Sequence, residues 1–535
     1  MKPGKRKNYL LLIIAAVIIW VALLAVLYFC ESREPGSNIR TVGDALWYMI
    51  VTVTTVGYGD VAPVTHVGRI IGAIFLISSM GILVALLSTV FTFITSEGWP
   101  EMKLRFSRGK NWYYFAGFSE EADVLARDIM TQDPMALIIF GGQKGEDKAP
   151  YHCIFVKDAP ARIVRLKGKA GRKCSIFFMQ EDDFKRNALS VDVNRLNAEV
   201  YVRTSRGPSN KLENIHYFHA YDCCAREYWR THPLVKDERS IVIVGFGNYG
   251  KSLLERAILT NIVSQNDHII YHVFGDASEF LMIHNKLKDV LSINSISEYN
   301  DSIIFYEDQW EAHRDVIADA SRIILCNDDE ECVWEDYWRM NQFYMTSGRI
   351  DVRSNRPRNG FSVFGNYDAI FSVRQVIRAN LNYAAYAMNE LYIQGHPGNA
   401  AGWDELSDEL QRSKIAVADH LNAKVRILLD DETLTDINAA EVTKAAEEYQ
   451  RLKQDPEMLE KFRRIEHKRW RRYYAYNNWS YAENWDAKRR LHPMMVPYDK
   501  LTGEQKSSHD AAWELIGFVA PKLQEYENKA KREGL

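Results

Sequence analysis

The sequence lacks the signals that would place it in several common functional classes. Its seven cysteines form no C-x-x-C pair and no cysteine–histidine spacing of the kind that binds zinc, so we expect buried, reduced thiols. The formal net charge of −3 is no global sign of nucleic-acid binding, and no nucleic-acid partner is expected. At 535 residues the chain exceeds what one hydrophobic core usually serves, which predicts several domains.

Charged residues are also missing from two long apolar runs near the N-terminus. None occurs from Tyr9 to Phe29 or from Ile70 to Ser96, and a helix of about 20 residues spans the roughly 30 Å of a membrane's hydrocarbon core. A cleaved signal peptide is the alternative for the first run. Its length, and the lack of a small-residue cleavage pattern after it, argue against that interpretation. We therefore predict membrane helices over residues 8–29 and 67–96.

Basic residues lie on the outer flanks of both runs. They are Lys2, Lys5, Arg6, Lys7, Lys103, Arg105, Arg108 and Lys110. Since lysine and arginine are enriched on the cytoplasmic side, this pattern predicts a multi-pass protein of the cell membrane with both termini in the cytoplasm. The segment between the two helices then faces outside.

A polar, glycine-broken stretch, T-T-V-G-Y-G-D at residues 54–60, lies between the two runs. Non-helical backbone at membrane depth is tolerated only where protein buries it or where it lines a water-filled cavity, as in a re-entrant pore loop. Gly57 and Gly59 allow consecutive carbonyls to point the same way. The carbonyls of Thr55, Val56, Gly57 and Tyr58, with the Thr55 hydroxyl, are then placed to replace the hydration shell of a potassium ion. One chain supplies one quarter of a closed ring, which predicts a homotetramer.

This stretch, with A-L-W-Y-M before it and V-A-P-V-T-H-V-G-R-I after it, resembles the pore of two-transmembrane-helix potassium channels. The resemblance covers roughly residues 40–95. It implies a pore domain over residues 1–98, with the pore helix and selectivity filter at 40–60 and Thr55 to Gly59 as the filter. In those channels a glycine midway along the second helix is the gating hinge, which points to Gly81. The alternative for Gly81 is a close-packing position.

The chain beyond residue 110 alternates short β-rich runs with helical ones, as α/β folds do, and the pattern occurs twice. The second copy, residues 237–395, opens with a strand that runs through Gly245, Gly247 and Gly250 into a helix, and its next strand ends at Asp276. This is the dinucleotide fingerprint in its expected context, with glycines close to phosphate and an acid for a ribose hydroxyl. The same glycines are equally needed merely to pack the helix on the strand.

The first copy, residues 111–236, has Gly117 but no G-x-G-x-x-G motif. Glu120 and Glu121 stand in its turn, where a phosphate would meet carboxylates. We expect this copy to be structural or dimerising. A pore followed by two such units resembles potassium channels with RCK (regulator of potassium conductance) domains, strongest in G-F-S-E-E and I-V-I-V-G-F-G-N-Y-G. That resemblance implies a cytosolic gating ring that ligand binding expands.

An acidic cluster, N-D-D-E-E at Asn327 to Glu331, permits two interpretations. Dense carboxylate oxygens suit calcium, and a channel gated by calcium is one alternative function. A solvated helix start favoured by the helix dipole is the interpretation we prefer.

The C-terminal third begins with a helical linker over residues 396–454. It continues with a segment that carries Glu466, His467, Trp470, Trp479, Tyr481, His492, Pro493, Val496, Pro497, Tyr498 and Leu501. On these residues, the segment over about 455–520 resembles the RyR domain, the repeat module named after ryanodine receptors. The resemblance implies a mainly α-helical domain over residues 455–530. Asn478 and Ala482 stand where that family usually has glycine. Arginines among aromatics suit an anionic ligand that contains a base, although such aromatics also form cores. The candidate ligand residues are His467, Trp470, Arg471, Trp479, Tyr481 and Tyr498.

The sequence thus predicts a multidomain protein: an all-α two-helix pore, two α/β Rossmann-like domains and a mainly helical RyR domain. The leading function is a ligand-gated potassium channel that senses a nucleotide or nucleotide-derived signal, and not an enzyme. The contending class is a membrane-tethered NAD-dependent oxidoreductase that uses Gly245, Gly247, Gly250 and Asp276. We find no companion acid, base or nucleophile placed as a substrate domain would require.

Overall fold

The computed structural model describes residues 18–95, 104, 107, 110–142, 153–156, 174–180, 198–204, 215–264, 268–344, 346, 348–395, 401–435 and 437–532. The chain divides into two compact units, Met1–Ser107 and Arg108–Leu535. The first ten residues of the predicted helix 8–29 lie outside the described residues, as do all the flanking basic residues except Lys110.

The described residues of the first unit include the helices α1 (18–31), α2 (Val42–Val53) and α3 (His66–Thr95). Helix α2 begins at a capping box, in which the Thr41 hydroxyl accepts from the Asp44 N–H while the Asp44 carboxylate accepts from the Thr41 N–H. The helices enclose a small core of Leu27, Ile39, Ala45, Ile71 and Phe75. Of the helices in the described part of the chain, none meets the length and hydropathy of a membrane span.

The second unit contains two parallel sheets. The first has the strand order β3-β2-β1-β4-β5-β6, which is that of a Rossmann fold. Its elements are β1 (Trp112–Phe115), α4 (Glu120–Gln132), β2 (Leu137–Gly141), β3 (Cys153–Val156), β4 (Cys174–Phe178), β5 (Glu199–Arg203), β6 (Ile215–Phe218) and α5 (Ala220–Thr231).

The second sheet has the order β13-β12-β11-β7-β8-β10-β9 and is also parallel throughout. Its elements are β7 (Ser240–Val244), α6 (Asn248–Thr260), β8 (Ile270–Phe274), α7 (Ser278–Ile283), β9 (Ser292–Ile293), β10 (Ser302–Tyr306), α8 (Arg314–Ala318), β11 (Arg322–Leu325), α9 (Glu330–Phe343), β12 (Arg349–Arg353), β13 (Val363–Phe364) and α10 (Tyr367–Ile370). The strand order reverses between β7 and β11, because the chain builds the sheet outward from β7 first on one side and then on the other; this is the switch point where ligands of such folds bind.

The remaining elements are mainly helical. They are α11 (Tyr383–Gly395), α12 (Asp408–Asp419), α13 (Leu421–Leu429), α14 (Ala439–Leu452), α15 (Pro456–Tyr476), β14 (Ser480–Tyr481), β15 (Leu491–His492), α16 (Gly503–Ser507) and α17 (Ala511–Arg532). The predicted fold class, a two-helix pore with α/β Rossmann-like units, is confirmed. Burial raises the pKa of Cys223 and Cys224 to about 12, so both are inert thiols.

Candidate functional site

The backbone after α2 alternates in handedness along the predicted filter. Thr55, Gly57 and Gly59 have φ of 59°, 59° and 74°, whereas Val56 and Tyr58 between them are not left-handed. A Cβ on Gly57 or Gly59 would meet none of the residues described here within 4 Å. The two positions therefore require glycine for the backbone conformation and not for space. Alternation of this kind turns successive carbonyls to the same side, as an ion-coordinating loop requires.

Helix α2 holds the predicted filter in place through a backbone carbonyl and the side chain of Trp47. The N–H groups of Val56 and Gly57 both donate to the carbonyl of Val51, at 3.1 and 3.3 Å. The Trp47 indole donates to the Asp60 carboxylate at 2.9 Å, and its ring lies parallel to that of Tyr58 at a centroid distance of 6.1 Å. The filter is thus tied at both ends, and Trp47 is a residue of this site that the sequence pattern alone does not single out.

A second unpredicted residue, Glu31, anchors the segment that follows the filter. It is fully buried at the end of α1. One carboxylate oxygen accepts from the N–H of Thr65 at 2.9 Å and from its hydroxyl, while the other accepts from the N–H of Val64 at 3.0 Å and from the Ser37 hydroxyl at 2.7 Å. Burial favours the neutral acid, but these hydrogen bonds outweigh it and hold the pKa of Glu31 below its usual range.

Replacing Glu31 with glutamine is expected to destabilise the first unit, because every donor around the side chain needs an oxygen. Either orientation of the amide places its NH₂ group against a backbone N–H, either that of Val64 or that of Thr65. An unsatisfied buried donor costs roughly 1–3 kcal/mol, so Glu31→Gln should lower the urea midpoint of the purified protein almost as far as Glu31→Ala. A midpoint unchanged from wild type would contradict the anchoring role.

The two glycines of α3 differ in their surroundings. A Cβ on Gly72 would lie 2.2 Å from the Tyr48 hydroxyl, so this glycine serves close packing. Gly81 is exposed and has nothing within 4 Å of a Cβ, and α3 continues through it. The packing explanation therefore applies to Gly72, while a role of Gly81 in bending stays a prediction.

The second glycine turn is closely packed by its own chain. Gly245 has φ of 95°, and a Cβ on it would lie 2.5 Å from the backbone nitrogen of Asn327. A Cβ on Gly250 would lie 2.3 Å from the carbonyl of Gly245. Asp276 is exposed at the end of β8, where its carboxylate accepts from the N–H and hydroxyl of Ser278. These hydrogen bonds hold the pKa of Asp276 below its usual range. The structure thus brings the fingerprint residues together at one edge of the sheet.

The corresponding turn of the first copy is ion-paired. Glu120 lies 2.5 Å from the guanidinium of Arg356, which belongs to the second copy, and Glu121 lies 3.1 Å from that of Arg203. Both carboxylates seen in the sequence are therefore engaged with arginines of the same chain.

The acidic cluster is divided between two helix starts. Asp329 is the N-cap of α9 and accepts from the N–H of Glu331 at 2.9 Å, as the preferred interpretation requires. Its neighbour Asp328 turns to the other side and reaches the start of α6. Within the residues described here, no group of three or more acidic, histidine or cysteine side chains is placed to hold a metal ion.

The six candidate ligand residues of the RyR-like part fall into two groups. His467, Trp479 and Tyr498 are buried and bonded to their own chain: His467 to the Val496 carbonyl at 2.8 Å, Trp479 to Glu409 at 3.2 Å and Tyr498 to Glu460 at 2.8 Å. The other three are Trp470, Arg471 and Tyr481. Trp470 stacks on Tyr474 at 4.1 Å and is half-buried, and Tyr481 is exposed. Asn478 adopts φ of 64°, a left-handed conformation that glycine adopts without steric cost.

Protonation of two buried histidines is expected to destabilise this part of the fold as the pH falls. The His467 Nε2–H donates to Val496, so its Nδ1 accepts from the Nε2–H of His509 at 3.0 Å. Burial lowers the pKa of His467 to about 3 and that of His509 to about 4, from an ordinary value of 6.5. The unfolded chain therefore binds more protons than the folded chain below pH 6.5 or so.

Stability should accordingly be complete above about pH 6.5 and should fall progressively towards pH 4. Urea midpoints measured across this range test the expectation, and His509→Asn should reduce the slope. A slope that is the same in the variant would count against the histidine pair.

Helix α15 docks on the second sheet through buried polar contacts. Arg472 and Asp301, which are 2% and 1% exposed, approach to 2.6 Å, and the Arg472 guanidinium also donates to the carbonyl of Ile258 at 3.2 Å. The Tyr476 hydroxyl donates to Glu255 at 2.7 Å. Ile258 and Glu255 both belong to α6. The RyR-like part is therefore built onto the helix that starts at the second glycine turn.

Two family models match this chain. Residues 15–96 match a family described as an ion channel, and residues 450–520 match the RyR domain. A voltage-gated potassium channel of Aeropyrum pernix is 45% identical over 64 residues, which are 12% of this chain and 22% of that protein. The calcium-gated potassium channel TvoK of Thermoplasma volcanium is 36% identical over 201 residues, 37% of this chain and 58% of TvoK.

The shared segments thus span less than two thirds of either relative. Among solved structures, a crystal structure of GsuK bound to ADP is similar at a TM-score of 0.39 and 16% identity, over 70% of this chain and 98% of that one. The chain is thus similar to ion channels over residues 15–96 and to RyR domains over residues 450–520, with Rossmann-like sheets between these two segments of the sequence.

Proposed function

We propose that the chain is one subunit of a homotetrameric, potassium-selective channel whose cytosolic part senses a small anionic ligand, a nucleotide or a nucleotide-derived signal. The observation that carries this proposal is the alternating backbone of the filter, left-handed at Thr55, Gly57 and Gly59. Potassium is coordinated by the carbonyls of Thr55, Val56, Gly57 and Tyr58, which take the place of its hydration shell.

The exposure of the filter supports assembly of four copies. Residues 54–60 are exposed in the single chain, yet a filter conducts only when its carbonyls face one another across an axis. Three further copies supply the missing sides of that ring.

Exposed apolar side chains on α1 and α3 support a membrane setting. An exposed apolar surface of this extent marks contact with lipid or with another protein, and we assign it to both. The chain then crosses the cell membrane with both termini in the cytoplasm. The exposed residues include Ile18, Val21, Phe29, Ile77, Met80, Val84 and Phe91.

Two places are proposed for the ligand. The first is the second glycine turn, with Gly245, Gly247, Gly250 and Asp276. The second is the RyR-like part, with Arg471, Tyr481 and Trp470 as the candidate ligand residues. Arg471 is the stronger residue there, because its buried Nε has no hydrogen-bond partner among the described residues. His467, Trp479 and Tyr498 shape this part from the core.

Flux measurements on purified protein in liposomes test the proposal. Potassium should pass in preference to sodium, and small molecules released from denatured protein and identified by mass spectrometry should include the nucleotide. Calcium, the ligand in the name of TvoK, is the alternative to be titrated in the same assay. Turnover of a nicotinamide cofactor without ion flux would overturn the channel in favour of an oxidoreductase.

A further inference from the structure

The N-terminus of α6 is already bonded to an anion of the same chain. The backbone N–H groups of Asn248 and Tyr249 donate to the two carboxylate oxygens of Asp328, at 3.0 and 3.1 Å, and the Asn248 side-chain amide donates to the same group at 2.9 Å. In dinucleotide-binding folds, this helix start is where the pyrophosphate accepts its hydrogen bonds. Asp328 therefore uses the donors that a phosphate would need.

The glycines of the turn are explained by the same contact. A Cβ on Gly247 would lie 2.7 Å from the Asp328 carboxylate, and a Cβ on Gly245 would lie 2.6 Å from the Cα of Asn327. The turn and the segment that follows β11 thus approach as closely as glycine permits, across the switch point of the sheet. A phosphate has no room there while this segment keeps its place.

Arg353 holds the backbone of the segment that follows β11. It is 2% exposed at the end of β12, and its guanidinium donates to the carbonyl of Asn327 at 3.0 Å and to that of Asp328 at 3.4 Å. It also lies over the Tyr249 ring, at 4.6 Å from the centroid. The backbone of Asp328 is therefore held by a second element, and its carboxylate is directed at α6.

We propose that Asp328 is an internal substitute for phosphate which closes the second glycine turn, and that a nucleotide binds there only when Asp328 is displaced. This rests on the proposed function, because it concerns one of the two places named for the ligand. Asp276 lies on the other side of the turn and, among the contacts described, forms hydrogen bonds only with Ser278. Asp328 therefore competes with the phosphate of a nucleotide and not with its ribose. Binding at this turn is consequently coupled to movement of the segment between β11 and α9.

Titration of the purified full-length protein with ADP, followed by calorimetry, tests the proposal. Asp328→Ala should bind ADP at least about tenfold more tightly than wild type, since a helix cap of this strength no longer has to be broken. Asp329→Asn is the matched control: it removes the same charge one residue further on, at a cap where asparagine serves equally well, and should bind ADP as wild type does. Gly247→Glu combined with Asp328→Ala should abolish the gain.

Equal affinity of wild type and Asp328→Ala, or no ADP binding by Asp328→Ala, overturns the proposal. A gain of the same size in Asp329→Asn also overturns it, because general charge would then be the cause. Asp328→Asn keeps the shape of the cap, so its affinity for ADP should fall between that of wild type and that of Asp328→Ala. Because this variant preserves the local structure, it also controls for a folding defect in Asp328→Ala. Potassium flux recorded on the same preparations separates this proposal from the proposed function. If wild type conducts potassium but the ADP effects are absent, only the role of Asp328 as an internal substitute for phosphate is wrong. If wild type does not conduct potassium, the proposed channel function is wrong.

Discussion

Gly57→Ala should lower the selective potassium flux by at least about tenfold while the protein remains folded. Gly57 has φ of 59°, and the left-handed conformation costs a residue with a Cβ about 1–2 kcal/mol. In a tetramer this cost acts four times on one pore. Space is not the reason, because nothing lies within 4 Å of the position of the added Cβ. The measurement is potassium flux relative to sodium flux in liposomes.

Gly36→Ala is the matched control for this prediction. Gly36 belongs to the same unit, also has open space around a Cβ and does not have a left-handed backbone. It should conduct as wild type does. If both variants conducted normally, the assignment of residues 55–59 as an ion filter would be wrong.

Asp301→Leu should lower the free energy of unfolding by about 3–5 kcal/mol, because it leaves Arg472 as a buried cation. Burial alone would raise the pKa of Asp301, but Arg472, the neighbouring His268 at 3.8 Å and the charge of Lys468 hold it well below the usual range. The carboxylate is therefore ionised at neutral pH and its pairing with Arg472 is intact. Urea unfolding followed by tryptophan fluorescence measures the loss.

The double variant Asp301→Leu/Arg472→Met should recover much of that stability, since apolar groups of similar volume replace a buried ion pair with little loss. Asp499→Asn is the control, because it removes a carboxylate that pairs with another arginine of α15. Asp499 pairs with Arg464 at 2.5 Å but is exposed, so its removal should leave the unfolding midpoint unchanged. A small effect of Asp301→Leu would show that the RyR-like part does not depend on this contact.

Local patterns predicted the elements of the fold well. Short apolar runs such as I-V-I-V mark strands that are buried on both faces of a parallel sheet, and β7, β8, β10 and β11 lie on runs of this kind. The motif T-T-V-G-Y-G-D was equally readable, because glycine at alternate positions has few uses other than a left-handed backbone. The edge strands β9 and β13 cannot be predicted in this way, because a strand of two residues is too short to show an apolar run or an alternating pattern in the sequence.

The partners of the polar side chains could not be predicted. Asp328 lies 80 residues from Asn248 and Glu31 lies 34 residues from Thr65, and nothing local in either segment selects its partner. The aromatics of the RyR-like part show the same limit. Trp479 and Tyr481 are two residues apart, yet one is 6% exposed and the other 55%. Only the tertiary packing decides which of them is available to a ligand.

The attachment of α15 to α6 decides how the two proposed ligand sites should be told apart. Deleting the chain after about residue 450 would remove Arg472 and Tyr476 together, and would deprive the carboxylates of Asp301 and Glu255 of these partners. Loss of ligand response in such a deletion would then report damage to the second sheet as readily as loss of a ligand site. Substitution of a single exposed side chain such as Tyr481 is the cleaner probe, because it leaves the contacts between α15 and α6 intact.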